Sequence, residues 1–536
     1  MALLWHLLCI CLDTVPSVSL YTSGSHSLIR KERIRLLESI QNVLLPANLL
    51  MMNIGILVGI LIGAAPGLSV SFAVTILLTM TFHMDSLSAM FLLLGAYCGG
   101  MYGGSITAVL INTPGTANAV CTAMEGYPLS RKGRAGDALR CSLVASTIGG
   151  LISCIALAFF APLLAKAIVN VASPEYFALC CFGIFASIGL EGTDLDKLCK
   201  GILSAAFGLL LACVGADPVF GTNRLVFGNY YMVSGIKMIS ALLGAYALGQ
   251  VLINCKMVYL HGDEKLKILE VNKATISYLD ILRHWKLLIK SSFIGILVGA
   301  VPGTGGAEGA MFAYNEAKRS SAHPEEFGDG SIEGIIAAES ANNAVTGAAM
   351  IPMLTLGIPG DGVMAILLGA LTMQGITPGP NLFTEGNTWV YAIMGGLFFI
   401  NLFMLLQGSL FVKLFTQVAK IPQSLMSPCI IVMCIMGAFA IGNNIFEVFV
   451  VIFFGFLGFV MKKYRFPVTP MCIALVLGSL FETALRRALI LSKGNVMVFF
   501  TRPVSCAIIV LAFLALLYPI IGNILIANRQ KQKTEH

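Results

Sequence analysis

The chain has 536 residues, of which 57% are apolar and only 11% charged, with a mean hydropathy of +0.86. A soluble globular protein carries roughly 25% charge, so that class is excluded and a polytopic helical membrane protein in a lipid bilayer is expected. The formal charge of +7 comes from scattered bases with no basic arm or aromatic-interleaved patch, so no nucleic acid partner is expected.

Residues 1–44 read as an N-terminal extension or interfacial segment. The apolar stretch Leu3 to Leu12 is short and has no basic residue before it, which argues against a cleaved signal peptide. Arg30, Lys31, Arg33 and Arg35 follow, with a helix-like stretch from Ile34 to Leu45. Residues 45–255 then form a first transmembrane repeat and 291–528 a second, with a polar tail at 529–536. Apolar runs of about 18 residues or more recur throughout, giving roughly a dozen membrane helices. Between the repeats, 256–290 is a basic linker with Lys256, Lys265, Lys267, Lys273, Arg283, Lys286 and Lys290. Its charge, and that of the loop with Arg131, Lys132, Arg134 and Arg140, places both in the cytoplasm. The corresponding second-half loop, 378–388, has no basic residue and one acid, Glu385. That sign difference is what two inverted repeats would give. The stretch from Asn387 to Ile526 reads as plain apolar scaffold. The 15 cysteines mostly sit in apolar runs without ligand spacing and read as packing residues.

The two repeats share an unusual phrase. Gly59-Ile60-Leu61-Ile62-Gly63-Ala64-Ala65-Pro66-Gly67 returns as Gly295-Ile296-Leu297-Val298-Gly299-Ala300-Val301-Pro302-Gly303. A further Pro-Gly follows each copy, at Pro114-Gly115 and Pro359-Gly360. Each pair interrupts an apolar stretch, so Pro-Gly-broken or re-entrant helices are expected, with Pro66, Gly67, Pro302 and Gly303 as hinge or half-helix positions. In hydrocarbon an exposed backbone group costs several kcal/mol, so such breaks must face protein or a wet cavity. Their free N–H ends attract anions and their free carbonyl ends attract cations. Paired, interrupted segments in two repeats mark a transporter's substrate site.

Neutral hydrogen-bonding residues flank the second breaks: Ser105, Thr107, Asn112, Thr113, Thr116 and Asn118 in one half, Asn342, Asn343 and Thr355 in the other. Such groups suit a dehydrated carboxylate. Ser105, Thr107, Asn112, Thr113, Pro114, Gly115, Asn342, Asn343, Pro359 and Gly360 are therefore candidate substrate residues. Glu339, Asp361 and Glu308 are candidates for the coupling ion, Na⁺ or H⁺, because ionisable residues within spans are functional by default. Asp217, Arg224, Glu175 and Glu191 sit near span ends, where solvated or paired structural roles are expected. No cofactor is expected, and no metal beyond Na⁺.

These residues carry a resemblance to the large membrane subunit of the tripartite tricarboxylate transporters, the TctA family. The similar stretches are Gly99 to Gly115, Glu125-Gly126-Tyr127-Pro128, Ser173 to Phe177, Gly334 to Gly360 and Gly375 to Pro380. The likeness covers roughly 45–526. The resemblance implies a cation-driven transporter of the bacterial inner membrane that uses no ATP. It also implies carboxylates received from a periplasmic solute-binding protein and a small membrane subunit as partner. Two departures stand out: Gly67-Leu68-Ser69 lacks an expected proline, and Gly360-Asp361-Gly362 carries an acid where small neutral residues are common. A passive anion channel is the alternative, since it could use the same helix ends. An intramembrane enzyme has less support, because the seven histidines form no HExxH set, and without a Walker motif the chain is not expected to be an ATPase.

Overall fold

In the computed structural model, the described residues are 38–517 other than 66, 169–171, 192–194, 263–268, 384–387, 419–420 and 422. The expectations for residues 1–37, for Pro66 and for the polar tail lie outside them. The described chain is helical apart from one short antiparallel pair, Gly215–Ala216 with Asn223–Arg224. Seven helices are long and apolar enough to cross a membrane, and four shorter apolar helices accompany them. The chain is an all-α polytopic membrane protein.

The first half opens with α1 (Pro46–Gly63), α2 (Val70–Leu78) and α3 (Ser86–Ile111). Proline at the first position of α1 costs no hydrogen bond, since that N–H has no partner within the helix. Asp85 caps α3 by accepting from the Leu87 N–H. α3 is the centre of the molecule, with Ala89 to Leu110 buried throughout. α1 runs parallel to it at backbone contact: Gly55 lies on Leu92, Gly59 on Ala96 and Gly63 on Gly100, while Gly95, Gly99 and Gly103 meet Met52, Ile56 and Ile60 in return. Lipid supplies no hydrophobic drive between helices, so this close approach of small residues is what holds the pair.

Next come α4 (Val120–Leu129), α5 (Ala135–Ile168), α6 (Ser173–Glu191), α7 (Leu195–Ala212), α8 (Met238–Leu260) and the short α9 (Tyr278–Arg283). The second half opens with α10 (Trp285–Gly299), α11 (Gly306–Ser320), α12 (Ile332–Ala348), α13 (Met350–Leu356) and α14 (Gly362–Met373). Here α10 runs parallel to α12, with Gly295 on Ala341 and Gly299 on Val345 and Ala348. The scaffold follows as α15 (Thr388–Leu410), α16 (Val412–Val418), α17 (Gln423–Gly442), α18 (Ile445–Lys463), α19 (Val468–Leu491), α20 (Val498–Thr501) and α21 (Pro503–Leu517).

α3 and α12, the third helix of each half, lie antiparallel. Ser105 bonds Glu339, Met101 lies with Asn342 at Gly306, and Cys98 meets Thr346. Because each packs parallel to its own first helix, α1 and α10 also point in opposite directions.

One face of the molecule gathers the polar segments singled out in the sequence. Lys132 pairs with Asp329 at 2.6 Å, Asn272 donates to the Gly133 carbonyl at 2.8 Å, and Arg140 donates to the Ile276 carbonyl at 2.7 Å. The linker and the basic loop thus lie on the same side, as their charge requires. Glu125 ties this face together. Its carboxylate accepts from Tyr314 Oη at 2.6 Å and from the N–H groups of Gly328, Gly330 and Ser331 at 2.6, 3.0 and 2.8 Å. Elsewhere Asp217, Arg224, Glu482 and Arg486 form an ion-pair network joining the loop after α7 to the end of α19. Glu175 pairs with Arg502. Of the solvated or paired roles expected of Asp217, Arg224 and Glu175, the structure shows the paired one.

Candidate substrate site at the broken helices

Each Pro-Gly ends one helix and starts another within a few residues. Gly67 lies in the left-handed region at φ +79° and Gly303 at φ +91°, which glycine adopts at no steric cost. New helices then begin at Val70, Gly306 and Gly362, and after Thr116 a 3₁₀ turn, Ala117–Ala119, leads into α4. Within each half the two breaks lie side by side. Gly115 packs on the Gly63 carbonyl and its N–H bonds the Gly104 carbonyl at 3.2 Å, with Thr107 Oγ1 alongside. Gly303 donates to the Gly360 carbonyl at 2.6 Å, and buried Pro302 and Pro359 flank that contact.

The four helix starts are not equivalent. Ser69 caps α2 by accepting from the Phe72 N–H at 3.1 Å. Asp361 caps α14 by accepting from the Met364 N–H at 2.7 Å, and Tyr97 Oη donates to its other oxygen at 3.1 Å. The helices starting after Thr116 and after Gly305 have no capping side chain. Glu308 reaches back only to the Gly305 N–H, at 3.0 Å, and the Thr116 hydroxyl is buried without a partner.

The two uncapped starts, one from each half, meet at α12. A Cβ on Gly306 would touch Asn342 Oδ1, Asn118 Nδ2 and Met101 Cε. Asn342 and Asn343 are both fully buried, and all four of their amide N and O atoms lack a hydrogen-bond partner among the described residues. Buried amides are normally satisfied, and an orphaned one costs about 1–3 kcal/mol. These two lie in succession at the mouth of two helix starts that have no capping side chain at the N-cap position.

Glu339 lies one turn before them, on the stripe Glu339, Asn342, Asn343, Thr346 that helical spacing puts on one face. Ser105 from α3, Thr122 from α4 and Ser146 from α5 all donate to its carboxylate. Among the described residues no cationic side chain pairs with it.

Of the sequence-predicted residues, the structure brings together Asn342, Asn343, Ser105 and Glu339, with Glu308 at the adjoining helix start. Thr107, Pro114 and Gly115 shape the neighbouring break, as do Pro302, Gly303, Pro359 and Gly360 in the other half. Asn112 and Thr113 do not join it: Asn112 closes α3 in the left-handed region at φ +54°, and both side chains are exposed. Asp361 holds a capping position. Gly67 accepts from Asn254 Nδ2 at 3.4 Å, away from the amide pair. Thr122 and Ser146 were not anticipated, since isolated hydroxyls in apolar helices usually bond their own backbone. Gly305-Gly306 was also missed, although a glycine pair just after Pro302-Gly303 was a readable sign of close approach.

Comparison with known proteins agrees with this architecture. The Tripartite tricarboxylate transporter TctA family profile matches residues 49–473. An uncharacterised 52.8 kDa protein from the TAR-I ttuC' 3' region of Agrobacterium vitis is 34% identical over 484 residues, covering 90% of this chain and 95% of the relative. An uncharacterised protein from the TAR-II ttuC' 3' region of the same organism is 36% identical over 230 residues, covering 43% of this chain and 95% of that relative. No solved structure matches. With a family match over most of its length and a relative 34% identical over 90% of it, this chain belongs to the tripartite tricarboxylate transporter TctA family.

Proposed function

We propose that this chain is the large membrane subunit of a secondary active transporter that takes up tricarboxylates or related carboxylates with a coupling cation. It is read as a transporter subunit and not an enzyme, in a bacterial inner membrane. A periplasmic solute-binding protein supplies the substrate, and a small membrane subunit completes the assembly. One observation carries the reading: two uncapped helix N-termini, from opposite halves, converge on the unpartnered amides of Asn342 and Asn343. Backbone N–H groups, helix dipoles and amide donors together suit a carboxylate, and their lack of net charge lets it leave as well as arrive. The antiparallel course of α3 and α12 supports two inverted repeats around this point, the arrangement from which alternating access follows when one unit moves against the scaffold.

The test is uptake of radiolabelled citrate, malate and succinate into proteoliposomes holding the chain and its partner subunits, under an imposed Na⁺ or H⁺ gradient. Accumulation against the substrate gradient, lost in Asn342→Ala/Asn343→Ala, is the expected result. Equilibration without accumulation would identify an anion channel instead.

A further inference from the structure

Glu339 has a geometry that the substrate site alone does not explain. Its carboxylate is fully buried where α3, α4, α5 and α12 meet, and it accepts hydroxyl hydrogen bonds from Ser105, Thr122 and Ser146. The titratable side chains facing it are Tyr102 from α3 and Cys121 from α4. From α5 come only the hydroxyls of Ser142 and Ser146. Among the described residues no ion pair involves Glu339, and the charged groups on the helices packed against α12 include two further acids, Glu125 on α4 and Glu308 in the first turn of α11. An ionised carboxylate so placed has hydrogen bonds but no countercharge, a costly state inside a membrane.

Two small ions could neutralise it. A sodium ion needs a shell of oxygens spaced around it. Here the hydroxyls already touch the carboxylate, with Ser146 at 2.8 Å, and the surrounding backbone carbonyls belong to helix interiors. A proton needs no such room. It adds to one carboxylate oxygen, giving a neutral acid whose O–H donates to a neighbouring hydroxyl oxygen while the other oxygen keeps accepting.

The position also couples this proton to the anion. Asn342 and Asn343 follow Glu339 by three and four residues, about one turn or ~5 Å along the same face of α12. An ionised Glu339 repels a carboxylate bound there, and a neutral one does not. By linkage, each ligand then strengthens binding of the other.

We infer that Glu339 is the proton-binding group of a carboxylate–proton symporter, loaded when the anion occupies the Asn342/Asn343 site. This deepens the transporter reading and rests on it. The first test uses the wild-type assembly in weakly buffered detergent solution with a pH indicator and citrate, malate or succinate. Binding should draw protons from solution, and Glu339→Gln should bind the same carboxylate without doing so. Binding with no proton uptake by the wild type overturns the inference.

The second test is in proteoliposomes. Glu339→Gln should keep counterflow exchange and lose accumulation driven by a pH gradient, and Glu339→Asp should restore part of that accumulation. Accumulation that follows Na⁺ and ignores the pH gradient overturns the proposal. So does accumulation that survives in Glu339→Gln, or a parallel loss of exchange and accumulation in both variants. A wild-type assembly that neither binds nor exchanges any of these carboxylates refutes the transporter reading itself, a separate outcome.

Discussion

Replacing Glu125 by glutamine tests whether its carboxylate, and not a side chain of that size, fastens the start of α12. Oε1 accepts from Tyr314 Oη and the Gly328 N–H, both at 2.6 Å, and Oε2 accepts from the N–H groups of Gly330 and Ser331 at 3.0 and 2.8 Å. Three of the four are backbone N–H groups, which can only donate, so an amide cannot satisfy them all in either orientation; the Tyr314 hydroxyl can turn and accept. With the NH₂ toward Tyr314, the Gly328 N–H loses its acceptor and faces another donor, while the remaining bonds lose their charged partner. At roughly 1.5–3 kcal/mol for a charge-assisted bond, the loss is about 2–3 kcal/mol. The assay is the apparent melting temperature of the detergent-solubilised protein, followed by monodispersity on heating. Glu125→Gln should melt well below wild type, and Tyr314→Phe, which removes one donor and leaves the carboxylate in place, should fall less. An unchanged melting temperature in Glu125→Gln would show that the carboxylate is not what holds this loop.

Gly99→Ala places a Cβ 2.5 Å from the Ile56 carbonyl oxygen, a backbone atom that cannot swing aside; α1 and α3 must separate, and the yield of monodisperse protein should collapse. Gly306→Ala meets mainly side-chain ends, including Asn118 Nδ2 at 2.8 Å, so the protein should fold while carboxylate binding weakens by about tenfold or more, the equivalent of ~1.4 kcal/mol. Retained affinity would remove the helix start at Gly306 from the site. Asp217 lies outside the spans; hydrogen bonds from the Val219 and Phe220 N–H groups, aided by Arg486, hold its carboxyl below the ordinary value. Its stabilisation is present above the unfolded pKa of about 3.9 and is lost as pH falls through the lower folded value. Limited proteolysis of the loop after α7 should therefore accelerate in acid below that pH, and Asp217→Asn should cleave readily at neutral pH as well.

The paired breaks were legible in sequence because Pro-Gly is incompatible with an uninterrupted helix, and its recurrence at matched places shows design. The Glu339–Asn342–Asn343 stripe was legible too, since spacings of three and four residues fix a helical face. The shared basic charge of 131–140 and the linker implied that they lie on one side, and the Asn272–Gly133 and Arg140–Ile276 hydrogen bonds put the two in contact. What stayed hidden depends on which helices become neighbours. Thr122 and Ser146 reach Glu339 across 217 and 193 residues of chain, and nothing local in either helix signals that contact. Asn112 and Thr113 stood in the most recognisable motif, yet the left-handed turn at Asn112 turns them outward. Asp361 read as an ion ligand, and the structure adds that its carboxylate caps the start of α14.

The most direct measurement is a structure of the full assembly with a bound carboxylate. The account predicts density for the carboxylate within hydrogen-bonding distance of the Asn342 and Asn343 amides, with the first-turn N–H groups after Gly305 and Thr116 pointing at it. Density at the Ser69 or Asp361 helix starts instead, with the Asn342 and Asn343 amides hydrogen-bonded to other protein groups, would contradict it.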